Sequence, residues 1–227
     1  MLRHGKELYF DGKIGCWPFA VIQQAQRDSP NRPRGTWEWK THKVKRDDIH
    51  NMLYEKVKPA ILARFSQFPY VHDISIQWDN ASTHFDATDP FWVLAQNYTE
   101  QMHGIRLHLI NQPACSPDFN ICDLSICNVL QCGQWKYGGH FHNIRDVITA
   151  VNHAWATFTH KQLEKAFCTL QTVFDAVIRV NGGNCYKLPH IGKDAIWNNY
   201  GVYTLCARAK QASQEACDLV KEVFGEE

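Results

Sequence analysis

A chain of 227 residues, 44% hydrophobic and 21% charged, has the length for one sizeable hydrophobic core or at most two small ones. Its net charge of +1 excludes neither a nucleic-acid partner nor a small molecule, because a balanced total can hide a basic patch. No apolar run approaches the roughly 18 residues that span a bilayer, and "MLRHGKEL" puts charges where a signal peptide carries its apolar stretch, so an intracellular protein with no membrane partner is expected.

From the N-terminus, "ELYFDGKIGCWPFAVI" mixes aromatic and β-branched residues around Gly12 and Gly15 and predicts strand, turn and strand. Residues 28 to 35, "DSPNRPRG", predict a loop. The following "TWEWKTHKVKR" sets Trp37 and Trp39 among Lys40, Lys43, Lys45 and Arg46. It reads either as an exposed strand with solvated lysines or, with Arg32 and Arg34 of the loop before it, as a stacking and charged surface for a phosphate backbone. From Asp47 as N-cap, Ile49, Met52, Leu53, Val57, Ala60, Ile61 and Phe65 fall on one helical face, and Pro59 should kink or split that helix.

Ile74, Ile76 and Trp78 alternate as in a strand and run straight into Asp79 and Asn80, with His84 five residues beyond Asp79. That is either a turn or a strand end presenting a charge to a ligand. A helix is expected over 90–102, then a second strand carrying Ile105, Leu107 and Leu109 and stopped by Pro113. Pro113 and Pro117 lead into a helix that Asp118 or Asn120 could cap, with Asp123 in its first turn, where free N–H groups keep a carboxylate ionised. Such an acid suits a metal and equally suits a helix that needs stabilising.

Cys122, Cys127 and Cys132 recur every five residues, followed by His140 and His142, but zinc ligands usually pair two to four residues apart and a spacing of five separates them around an α-helix. Nine cysteines, an odd number spread over the whole chain, point to reduced thiols. Farther on, Val147, Ile148, Val151, Trp155 and Phe158 make one helical stripe. Thr159 with Gln162 forms a capping box for a second helix carrying Leu163, Phe167, Leu170, Phe174 and Val177 into the core, which the glycines of "NGGNCYKLPH" end.

"DNASTH" followed by "QPACSPDFNICDL" resembles the second and third acidic motifs of mariner-like transposases of the DDE/D superfamily, closest to the plant-type branch. There the pattern runs near "QDNAxxH" and "QPxNSPDLNxLDL". Four further motifs of that branch stand here in the same order: "FDGKIG" at 10–15, "NRPRGTWEWK" at 31–40, "EKVKPAI" at 55–61 and "GGNCYKLPH" at 182–190. The resemblance covers roughly residues 8 to 195.

Carried over position by position, the resemblance implies Asp79 as the second catalytic, metal-binding carboxylate and Asp123 as the third. Asn80 and His84 would support the second acid or touch DNA, and Asp118 matches a position the family does not use for metal. It implies cut-and-paste transposition, with DNA cleavage and strand transfer at transposon ends, Mg²⁺ or Mn²⁺ as cofactor, DNA as partner, room for a homodimer, and a nuclear location. Such chemistry clamps two Mg²⁺ ions about 4 Å apart with oxygen donors, which takes three carboxylates.

The family's first acid lies in a "DEKWF"-like strand before "FDGKIG", and no such motif stands in this chain; Asp11 belongs to "FDGKIG" itself and is not expected to replace it. The fold class expected is α/β: a ribonuclease H-like mixed sheet flanked by helices, N-terminally truncated by its first strand or strands, with a helical C-terminal third. It would be one partial domain over 1–227, with strands and loop over 1–46, both acidic motifs in a core over 47–142, and helices over 143–227. The function expected is a truncated transposase catalytic domain, inactive alone; the alternative is a domesticated, non-catalytic nucleic-acid-binding or interaction protein.

Overall fold

The computed structural model describes residues 2–4, 7–188 and 190–200, so the part of the expected helical third beyond residue 200, and Pro189 of the "GGNCYKLPH" motif, lie outside the described residues. The chain is mixed α/β. Strands β1 (Leu2–His4) and β2 (Glu7–Phe10) pair antiparallel, as do β3 (Ala20–Gln24) and β4 (Trp37–Thr41). Strands β5 (Asp73–Trp78) and β6 (Arg106–Asn111) run parallel, with Trp78 opposite Asn111. Where the sequence reading puts the strands in one mixed sheet, the described strands form three separate pairs.

Strands β2 and β3 are the expected strand, turn and strand, yet they do not pair with each other, and the reason lies in the segment between them. Gly12 takes a left-handed φ of 90°. Lys13 then reaches across to the C-terminal end of helix α5 (Ile144–Thr157), where its Nζ donates to Phe158 O at 2.9 Å and to Trp155 O at 3.3 Å. A cation at a helix C-terminus meets the negative end of the dipole and the carbonyls left without intrahelical donors. Asp11 serves the same turn, accepting from Lys13 N at 3.0 Å. The "FDGKIG" motif therefore anchors α5 rather than closing a hairpin.

Helix α1 (Arg46–Met52) begins slightly before the expected start. Lys45, not Asp47, is its N-cap, because Asp48 accepts from Lys45 N at 2.7 Å and closes the first turn. A π-helical turn over Leu53–Val57 then leads into α2 (Lys58–Phe65), where Lys58 N bonds Leu53 O five residues back. Pro59 has no N–H to give the preceding turn, and the helical run is interrupted there by the wider π turn.

The main core gathers Leu53 and Ile61 from this helical run, Phe85 from the loop after β5, and Trp92 of helix α3 (Pro90–His103). Ile105 and Leu107 close it from the β6 side, and Ile74, Ile76 and Trp78 pack against it from β5. Helix α3 starts where expected because Asp89 caps it, accepting from Phe91 N at 3.0 Å and Trp92 N at 3.2 Å.

Beyond β6, helix α4 (Cys127–Gly138) packs on α5, and α5 leads into α6 (His160–Arg179) through the expected Thr159–Gln162 capping box. Helix α6 buries Leu163, Ala166, Leu170, Val173 and Ala176. Phe167 and Phe174, expected in the core, stay exposed, and Phe174 meets Phe119 edge-on at 5.0 Å. Leu163 and Leu170, as expected, carry the buried stripe together with Val173, Ala166 and Ala176. Helix α6 ends at Val180 with Asn181 and Gly182 left-handed and Gly182 N bonded to Val177 O, and α7 (Lys193–Tyr200) follows.

Candidate functional site

The parallel pair β5–β6 presents its C-terminal ends together. Asp79 follows β5 directly and Gln112 follows β6, and Gln112 N bonds Trp78 O at 3.0 Å, continuing the ladder past the last strand residues. Two side chains brace this end. Trp78 Nε1 donates to Asn111 Oδ1 at 2.8 Å, and Asn80 Nδ2 donates to Gln112 O at 2.9 Å.

His84 closes over the acid. Its Nδ1 lies 2.9 Å from both the backbone oxygen and Oδ1 of Asp79, and its ring stacks on Trp78 with centroids 4.6 Å apart and planes 10° from parallel. Asp79 Oδ1 also accepts from Ala81 N at 2.9 Å, which is an Asx turn. "DNASTH" thus forms a turn at the strand end, and the Asp79 side chain remains 47% exposed.

Asp79, Asn80 and His84 line a cavity of about 420 Å³ together with Arg46, Asp86 and Asp89. Arg46 belongs to the basic stretch read after Trp39, whereas Asp86 and Asp89 were not singled out from the sequence, although the density of acids in "HFDATDP" before Pro90 was a visible signal. Asp86 is engaged by its own loop: the Thr88 hydroxyl and, at 2.8 Å, Thr88 N donate to its Oδ1, and the hydroxyl foremost holds the carboxyl below its usual range. Asp89 is occupied by the α3 cap and lies 3.3 Å from His50 Nε2. Arg46 Nη2 donates to His84 O at 3.3 Å, holding the loop over the cavity.

Asp123 lies in the first turn of a π-helical segment, Cys122–Ile126, entered from a 3₁₀ turn over Pro117–Phe119. Asn120 does the capping, its Oδ1 accepting from Cys122 N at 3.0 Å. Asp118 faces elsewhere and accepts from the Tyr186 hydroxyl at 2.8 Å, so the "SPD" and "GGNCYKLPH" segments are tied to each other. Gln77 Nε2 donates to Phe119 O at 2.9 Å, fastening the segment that leads to Asp123 onto the strand that leads to Asp79.

Asp123 itself is exposed and is not among the residues lining the Asp79 cavity. Among the described residues, no three His, Cys, Asp or Glu side chains gather so as to hold a metal ion.

The π-helical turn also changes the cysteine reading. A spacing of five, which scatters side chains around an α-helix, matches the wider π turn and brings Cys122 and Cys127 within electrostatic reach of each other. Desolvation of the sulfur first, then Cys127 and Asp123, push the thiol of the otherwise exposed Cys122 up, and desolvation foremost does the same for Cys16.

In the β3–β4 hairpin, Trp37 and Trp39 stand two residues apart on β4 and so share one face. Lys40 Nζ and Arg32 Nε lie 2.9 Å and 2.6 Å from the two oxygens of Glu38, whose carboxyl is held below its usual range by the Lys40 hydrogen bond foremost. Arg34, Lys43 and Lys45 are exposed. Compared with known proteins, the chain matches no protein-family model, no curated protein and no solved structure.

Proposed function

We propose that this chain is the part of a mariner-like transposase catalytic domain, ribonuclease H-like in fold, that carries the second and third metal-binding carboxylates, Asp79 and Asp123. The observation that carries the reading is the parallel β5–β6 pair with the Gln77–Phe119 bond across it, which fastens the Asp123 segment to the strand that ends at Asp79. Asp79, Asp86 and Asp89 around one cavity would repel DNA phosphates, and Arg46 is a cation in the same lining that offsets them in part. A divalent cation, Mg²⁺ or Mn²⁺, would bring DNA to such a site, with a further carboxylate supplied from outside these 227 residues.

In this proposal His84 orients the Asp79 carboxylate and Asn80 locks the β5 end to the β6 end. The chain alone is inactive and acts on DNA, in the nucleus, only when the first carboxylate joins it. The test is complementation. The chain is mixed with an N-terminal segment of a mariner-like transposase bearing the first acid, complex formation is verified, and Mg²⁺-dependent cleavage of transposon-end DNA is measured. Cleavage by the complex that Asp79→Asn or Asp123→Asn abolishes, with none from the chain alone, is the expected result. A verified complex that leaves DNA intact, or Asp79-dependent nicking by the chain alone, would overturn it.

A second reading, a non-catalytic nucleic-acid-binding protein, draws on the β3–β4 hairpin. There the indole of Trp37 stands 66% exposed beside two cations that share one carboxylate.

A further inference from the structure

Helix α5 packs against β4, and between them lies a cleft of about 760 Å³. One wall is the hairpin β3–β4, giving Ile22, Trp37, Trp39 and Arg32; the other is the entry to α5, giving His142 and Arg145. The two walls are more than a hundred residues apart in sequence, so only the fold assembles them.

The indole of Trp37 is a large planar apolar surface left uncovered at the cleft, and Ile22, beside Trp39 in the strand register, is also exposed. Exposed aromatic rings in a monomer's concave surface are the usual mark of a ligand that brings its own flat apolar face. The charges around it are unbalanced in one direction. Among the described residues lining the cleft, Arg32 and Arg145 carry positive charge and Glu38 is the one acid, paired with Arg32 at 2.6 Å. That leaves Arg145, on the opposite wall, as the positive charge in surplus.

A planar apolar face facing a surplus cation fits a ligand that is planar and apolar in one part and anionic in the next. An unpaired nucleotide has that construction: its base stacks on an aromatic ring and its phosphate pairs with a guanidinium. A base inside a duplex cannot stack on Trp37, because both of its faces are already covered.

We infer that the β3–β4/α5 cleft holds an unpaired nucleotide of a DNA strand, with the base on Trp37 and a flanking phosphate on Arg145. The inference extends the nucleic-acid reading of the Trp37 strand and is independent of the acids at the β5–β6 end. His142 lies at the same wall, where a ring N–H can give the phosphate a second donor.

The test is a titration of the full chain with a fluorescent single-stranded DNA of roughly 20 nucleotides at about 50 mM salt, read by anisotropy. Trp37→Ala and Arg145→Gln should each weaken binding about ten-fold, within the range a stacked base carries. Trp37→Phe should keep most of the affinity, because a ring remains. Trp135→Ala removes an equally exposed indole, 62% accessible and outside the cleft, and should change affinity by less than about two-fold. A duplex of the same length should bind without dependence on Trp37.

The inference is overturned if Trp37→Ala binds like the parent, if Trp135→Ala loses as much, or if duplex binding falls equally with Trp37→Ala. Asp79→Asn and Asp123→Asn separate this from the proposed catalytic role. Strand binding that survives them while complemented cleavage is lost upholds both readings; cleavage that tolerates them, with Trp37-dependent binding intact, removes only the catalytic one.

Discussion

Truncating Leu107 to alanine is the sharpest probe of the packing that holds the β5–β6 end in place. Leu107 is 1% exposed, lies opposite Ile74 across the parallel ladder, and sits in the cluster with Trp92, Ile105 and Phe85. The substitution removes three carbon groups, about 2.4 kcal/mol of transfer free energy at about 0.8 kcal/mol each. The cavity left behind adds about 1 to 2.5 kcal/mol, since strand and helix backbones around it cannot collapse fully. A total near 4 kcal/mol is expected. With a urea slope of about 3 kcal/mol per molar, the midpoint of unfolding should fall by a little over about 1 M. The control is Leu94→Ala on α3, where the side chain is 70% exposed and the change should stay within about 0.5 kcal/mol. Both variants are followed by tryptophan fluorescence and far-UV circular dichroism. If the two midpoints shift equally, Leu107 is not enclosed by this cluster and the account of what supports Asp79 is wrong.

Two further outcomes test other parts of the molecule. Asp48 accepts from Lys45 N and pairs with His42 Nε2 at 2.8 Å, and the Lys45 bond foremost holds its carboxyl below the usual range. A depressed folded-state value stabilises the protein above the unfolded value, about 3.9, and that contribution is lost as pH falls through the folded value. Urea midpoints measured from pH 6 downward should therefore drop below about pH 4, and Asp48→Asn should make that drop shallower; an unchanged profile would discount the α1 cap. Gly133 on α4 has space for no side chain, since an added Cβ would stand 2.7 Å from the Ala154 Cβ of α5. Gly133→Ala should cost about 1 to 3 kcal/mol in thermal or urea unfolding despite its better helix propensity, and a stabilised variant would contradict the close α4–α5 approach.

Local signals in this sequence were sufficient for most elements, because caps, prolines and periodicity act within a few residues. The Thr159–Gln162 box, the Ile74–Trp78 and Ile105–Leu109 alternations, and the helix split near Pro59 all depend on neighbours in the chain, and all are found where the residues put them. The clustering of Asp79, Asn80 and His84 was legible for the same reason, since a turn of six residues can hardly place them apart.

What only the tertiary structure decided is long-range. Lys13 could not be known to bond the end of α5, nor Tyr186 to bond Asp118, from any pattern around them. Arg46 and Asp89 join Asp79 around one cavity only because α1 and α3 both border the loop after β5, and His142 and Arg145 meet Trp37 only because α5 packs on β4. Strand pairing belongs here as well. Periodicity fixes which face of a strand is apolar, but partners are chosen by where the connecting segments are anchored, and the anchor of residues 11–19 on α5 keeps β2 and β3 apart.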